Sequence, residues 1–126
     1  MFLKLNHQKL DVYNLSKAFV IECYKLTHYL PDNERFGMIS QIRRAALSVH
    51  LNISEGCSRK SETERKRFYE IARGSIIEID GALDIANELE YLRGYDSSGI
   101  SEYMVRCFQM LTSLINSHTK PQKEET

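Results

Sequence analysis

Apolar residues recur along this chain at steps of three and four, and nowhere alternate at a step of two over a strand's length. That periodicity predicts helices and no sheet. A first helix is expected from about Lys9 to Tyr29, with Val12, Leu15, Phe19, Cys23, Leu26 and Leu30 on one face. Pro31-Asp32-Asn33 ends it, because proline cannot continue the hydrogen-bond ladder and disfavours helix in the residue before it. A second helix is expected over about Met38 to Cys57, with a stripe of Ile39, Ile42, Ala46, Val49 and Ile53. Gly56 lies near its end, where glycine adopts a left-handed turn at little cost.

Ser61-Glu62-Thr63-Glu64 is a capping box and starts a long third helix that runs to about Arg93, before Gly94. Its stripe, Phe68, Ala72, Ser75, Ile79, Ala82, Ala86 and Leu89, alternates steps of four and three, the near-heptad pattern of left-handed helix packing. Asp96-Ser97-Ser98-Gly99 supplies a loop and an N-cap. The fourth helix, about Ile100 to Ser117, carries Ile100, Tyr103, Cys107, Met110 or Leu111, and Leu114. Four amphipathic helices on short connections predict an all-α, antiparallel up-down-up-down four-helix bundle. Residues 1–118 form the expected single domain and 119–126 a disordered polar tail.

The stripes leave apolar residues over. Tyr13, Val20 and Tyr24 lie to one side of the first helix's stripe, and Leu47 and Leu51 lie almost opposite Val49 on the second. These residues are the expected second face of a self-associating chain.

Charge changes the picture next. Seventeen basic residues balance seventeen acidic ones, so the formal net charge is zero. This argues against a uniformly basic nucleic-acid binder and leaves room for a local basic patch. Such a patch is present in sequence: Arg35, Arg43, Arg44, Arg59, Lys60, Arg65, Lys66, Arg67 and Arg73 outnumber the acids between them, whereas Glu78 to Glu102 is predominantly acidic. Arg59-Lys60 and Arg65-Lys66-Arg67 bracket the turn between helices two and three and are candidate phosphate contacts.

No catalytic arrangement emerges. G-x-S-x-G, P-loop, G-x-G-x-x-G and H-E-x-x-H motifs are all absent. Cys23, Cys57 and Cys107 form no C-x-x-C pair, and His7, His28, His50 and His118 have no metal-type spacing. The thiols are expected to be reduced, in a cytoplasmic protein. There is no signal-peptide pattern, and no apolar run long enough to span a bilayer. Asn52-Ile53-Ser54 matches a glycosylation sequon that has no meaning without secretion. Asp80, Asp84 and Glu88 share a helix face but lack the Glu-x-x-His partners of bundle metal sites, so they read as a hydrated acidic face. No catalytic residue, metal, cofactor, membrane or small-molecule substrate is expected.

One polar cluster departs from surface polarity. Asn52 and Glu55 near the end of helix two are expected to face Arg73 and Ser75 early in helix three, as an inter-helix network that fixes register. Gly74 and Gly81 lie inside a helix, where each costs roughly 1 kcal/mol against alanine, and are expected to admit a closely packed neighbour.

These residues also carry a resemblance. The runs Gln41-Ile42-Arg43-Arg44-Ala45-Ala46, Ser48-Val49, Asn52-Ile53-Ser54-Glu55-Gly56 and Ile71-Ala72-Arg73-Gly74-Ser75 with Glu78 resemble the 23S ribosomal RNA intervening-sequence protein family. Leu10-Asp11-Val12-Tyr13, Leu26-Thr27 and Leu30-Pro31 fit as well, so that the match covers about residues 9 to 116. The resemblance implies a bacterial, cytoplasmic four-helix bundle that assembles as a ring-like homopentamer without known catalysis. It also implies a link to the accessory proteins of diversity-generating retroelements, which bind RNA and a reverse transcriptase. By the motif match, Arg43, Arg44 and Arg73 are carried over as candidate basic contacts. Two functions follow as expectations: an oligomeric RNA-binding protein, or a homo-oligomeric protein-interaction scaffold without nucleic-acid binding.

Overall fold

The computed structural model describes residues 2–6 and 10–119, the side chains of residues 118 and 119 excepted. It is all-α: helices α1 (Asp11–Thr27), α2 (Met38–Ser58), α3 (Glu62–Glu88) and α4 (Ser98–Thr119), with a 3-10 turn at Asp32–Glu34 and no strand among the described residues. α1 packs on α2 and α4, and α3 packs on α2 and α4, while the backbones of the diagonal pairs lie farther apart. The four helices therefore enclose one core.

α1 shows how the pattern becomes packing. All six expected stripe residues, Val12, Leu15, Phe19, Cys23, Leu26 and Leu30, are buried. Burial of side chains such as Phe19 and Leu26 stabilises the fold by roughly 2–3 kcal/mol each. The helix ends at Thr27, two residues earlier than expected, and a turn leads into Pro31. The expected start near Lys9 lies outside the described residues, as do residues 120–126 of the expected tail; α4 itself continues to Thr119.

The entries to α2 and α3 are held by side chains. The Met38 amide donates to Glu34 Oε1 at 3.2 Å, and the Glu64 amide to Ser61 Oγ at 3.3 Å, the serine half of the expected capping box. On α3 the buried residues are Tyr69, Ala72, Ser75, Ile76, Ile79 and Ala86. Phe68 lies to one side of this stripe, and Leu89 is exposed.

α3 stops before the expected Gly94. Glu90 takes a left-handed φ of 61°, the Tyr91 amide donates back to the Ala86 carbonyl at 3.0 Å, and the Glu90 amide donates to Asn87. This is a Schellman-type end built without glycine. The reason is tertiary. Leu89 has no core to cover, and turning early packs Tyr91, Leu92 and Tyr95 against the core. The Tyr91 hydroxyl then donates to Glu34 Oε2 at 3.0 Å and the Tyr95 hydroxyl to Glu22 Oε2 at 3.1 Å, tying the α3–α4 loop to α1 and to the α1–α2 connection.

The glycines differ from expectation. A Cβ at Gly74 or Gly81 would meet nothing within 4 Å, so neither admits a close neighbour within the chain. Gly56 does. It is buried inside α2, with no left-handed turn, and a Cβ there would lie 2.8 Å from Tyr69 Cε1 and 3.1 Å from Phe68 Cβ.

Candidate nucleic-acid interface

The turn between α2 and α3 is built by two of its own arginines. The carbonyls at the end of a helix lack intrahelical partners. Arg65 Nη1 donates to the carbonyls of both Arg59 and Lys60 at 2.8 Å and closes the turn from the α3 side. Arg59 Nη2 donates to Glu55 Oε2 at 2.5 Å, and its guanidinium lies 5.1 Å from the Phe68 ring centroid. Lys60, Lys66 and Arg67 make no ion pair or side-chain hydrogen bond among the described residues. Of the five cations expected here, then, two brace the turn and three remain for a ligand.

The other three candidate contacts lie elsewhere. Arg43 and Arg44 precede Arg59 on α2 by about 24 Å at 1.5 Å per residue. Arg43 is half-buried: its Nε donates to Thr27 Oγ1 at 2.9 Å and its guanidinium stacks 4.9 Å from the Tyr24 ring centroid. Arg44 is exposed and unpaired among the described residues. Arg73 turns to α4, donating to Thr112 Oγ1 at 3.1 Å, with its guanidinium 5.8 Å from the Phe108 ring centroid. The eight basic residues therefore form no single patch. Their azimuths around the helices, fixed by packing, separate them.

The polar network is present with different members. Ser75 Oγ donates to Ser48 Oγ at 2.9 Å across α2 and α3, and Asn52 Nδ2 donates to Ser48 Oγ at 3.1 Å and to the Ser48 carbonyl at 2.8 Å. Ser48 is thus the shared acceptor. Glu55 is not a member, because it pairs with Arg59 one turn along its own helix, and Arg73 faces α4 rather than α2.

The expected self-association face is also smaller. Tyr13 and Val20 are only 7% and 9% exposed, so they belong to this chain's own interior. α1 has two neighbours, and its buried arc is wide enough to take in these flanking residues. Tyr24 is half-buried beneath Arg43. Leu47 and Leu51 are 41% and 58% exposed and remain available.

A pairing the periodicity did not signal joins Ser16 and His50, 34 residues apart, at 2.8 Å. Ser16 is buried and its hydroxyl donates to the Tyr13 carbonyl at 3.0 Å, so His50 Nδ1 is the donor to Ser16. A serine whose proton is already committed, inside the core, is a packing element rather than a nucleophile. Among the described residues no three His, Cys, Asp or Glu groups come together as metal ligands, and no helix is long and apolar enough to cross a membrane. Burial pushes the Cys23 and Cys107 thiols up to about 12 and raises that of Cys57. All three cysteines are free.

Comparison with known proteins gives one family match. The family model described as 23S rRNA-intervening sequence protein matches residues 8–113. No curated protein matches the chain.

Proposed function

The chain belongs to the 23S rRNA-intervening sequence protein family, and from that premise we propose that it is a non-enzymatic, self-associating, RNA-binding bundle of the cytoplasm. The observation that carries the RNA reading is the α2–α3 turn, where Arg65 bonds the backbone, Arg59 pairs with Glu55, and the side chains of Lys60, Lys66 and Arg67 have no hydrogen bond or ion pair among the described residues. Three unpaired cations at one helix–helix turn suit a phosphate backbone, and repetition of the turn in an oligomer raises avidity although each chain is neutral. In this reading the bundle is antiparallel, up-down-up-down. The pairings Ser16–His50 and Thr27–Arg43 between α1 and α2, and Ser48–Ser75 and Gly56–Tyr69 between α2 and α3, support that order. A reverse-transcriptase-type protein is the proposed macromolecular partner beside RNA.

The test is RNA binding as a function of salt. The expected result is binding that weakens steeply with salt, and a slope reduced by about three when Lys60, Lys66 and Arg67 are all changed to glutamine. Binding that survives this triple substitution with its salt slope intact excludes the turn. A second reading, a homo-oligomeric scaffold without nucleic-acid binding, is favoured by the exposed Leu47 and Leu51 and gains if the chain self-associates but binds no RNA.

A further inference from the structure

Phe36 is the most unusual surface residue of the bundle outside the N-terminal segment. It is 90% exposed, beside Gly37 in the tight connection between α1 and α2, and no part of the fold uses its ring for packing. Its ring is therefore open to a ligand at the loop tip. The surroundings indicate which. The Arg35 guanidinium lies 6.0 Å from the Phe36 ring centroid. Arg35 also lines a cleft of about 230 Å³ together with Arg43, Thr27, His28 and Asp32.

Arg43 is held rigidly at that cleft, by the stack on Tyr24 and the Nε bond to Thr27. Its two terminal amino groups have no hydrogen bond or ion pair among the described residues, and the same holds for Arg35. A guanidinium whose orientation is already fixed and whose donors are free is pre-organised for an anion. The nearby Glu34 is occupied, accepting from the Tyr91 hydroxyl and the Met38 amide, so Asp32 is the acid that remains within the cleft. A free aromatic face beside a cleft with two arginines is the combination by which proteins hold single strands, with the base stacked on the ring and the phosphate on the guanidinium. We infer that the α1–α2 corner is a single-stranded RNA site, in which a base stacks on Phe36 and the adjoining phosphate sits against Arg35 and Arg43.

This inference rests on the RNA-binding reading but names a different place, at the end of α2 about 30 Å from the α2–α3 turn. The experiment is fluorescence anisotropy with a labelled single-stranded oligouridylate and with a duplex of the same length. Measurements use the full chain, F36A, F36Y, R35Q and the K60Q/K66Q/R67Q variant. Single-strand affinity is expected to fall about 5- to 150-fold in F36A, the range of one lost base stack, to persist in F36Y, and to keep its salt slope in both. R35Q is expected to reduce that slope by about one. Because Phe36 and Arg35 are both exposed, circular dichroism is expected to be unchanged. If the full chain binds no RNA, both readings fall. If binding is indifferent to F36A and R35Q but lost in the triple variant, this site is wrong and the turn stands. If F36A instead lowers the solution mass without altering RNA affinity, Phe36 is a subunit anchor and the inference is overturned.

Discussion

Gly56 lies against Tyr69 so closely that no side chain fits between them: a Cβ at position 56 would come to 2.8 Å from Tyr69 Cε1. The ring cannot simply move. Tyr69 is only 4% exposed, its hydroxyl reaches Cys57 Sγ at 3.5 Å, and a Cβ at position 56 would also lie 3.1 Å from Phe68 Cβ. G56A is therefore expected to destabilise the fold by about 1–3 kcal/mol, overpacking outweighing the better helix propensity of alanine. G74A and G81A have open space around the new methyl and are expected to stabilise by about 0.5–1 kcal/mol each. Chemical-denaturation midpoints of the three variants check the opposite signs, and a G56A midpoint at or above that of the parent would refute the close approach.

Ser48 is the shared acceptor of the α2–α3 network, so its two donors should be energetically coupled. N52A removes the hydrogen bonds to Ser48 Oγ and to its carbonyl, and is expected to cost about 1–2 kcal/mol. S75A is expected to cost about 1 kcal/mol. The double variant should cost less or more than the sum by at least about 0.5 kcal/mol, because both donors converge on one oxygen. E55Q, by contrast, touches only the exposed pair with Arg59 and is expected to change stability by less than about 0.5 kcal/mol. A full double-mutant cycle by urea denaturation measures this, and strict additivity would show that the shared hydroxyl carries no coupling.

The buried thiols give the pH dependence a definite sign. Burial holds Cys23 and Cys107 protonated in the folded chain up to about 12, against an ordinary thiol value near 9.0 once the chain unfolds. Between those values the unfolded state gives up protons that the folded state keeps. Stability is therefore flat on this account below about pH 8 and falls as pH rises through 9 toward 12, by up to about 1.4 kcal/mol per pH unit for each thiol. Tyr69 and Tyr95, raised by burial and by their hydrogen bonds, act in the same direction at still higher pH. Denaturation midpoints from pH 7 to 10.5, compared with those of C23A/C107A, test this: the variant should lose part of the alkaline decline. Alkylation kinetics give an independent check, because half-buried Cys57 should react before the other two.

What could be read from the residues alone depended on whether one helix or two decided the outcome. The α1 stripe was legible in full because a period of 3.6 is a property of one helix, and its six members all turn inward. The end of α3 was not, since it is set by where the core runs out beyond Ala86 rather than by Gly94. In the polar network, Asn52 and Ser75 were identifiable as residues between α2 and α3. Which partner each would take needed azimuths that sequence spacing does not contain, and so Ser48, Thr112 and the Ser16–His50 contact went unsignalled. The same holds for the basic residues. Local spacing gathered them into one segment, and the three-dimensional arrangement divides them between two ends of the bundle and the α3–α4 seam.

Self-association, finally, should be separable from folding by choosing between two sets of apolar residues. Leu47 and Leu51 follow one another at i, i+4 on the outer face of α2 and are 41% and 58% exposed. They contribute little to the folded single chain, so changing both to glutamine is expected to alter chain stability by no more than about 0.5 kcal/mol per site. If they form the subunit contact, the same change removes most of the apolar area that holds copies together, and the mass by sedimentation equilibrium should fall toward that of one chain. Tyr13 and Val20 should behave in the opposite way. They are buried against the chain's own α2 and core, so Y13A is expected to lower the denaturation midpoint by about 2–4 kcal/mol of stability while any remaining folded protein keeps its oligomeric mass. An unsubstituted chain that sediments as a single copy would eliminate the contact altogether. An L47Q/L51Q variant that keeps the parental mass would move it to another face of the bundle.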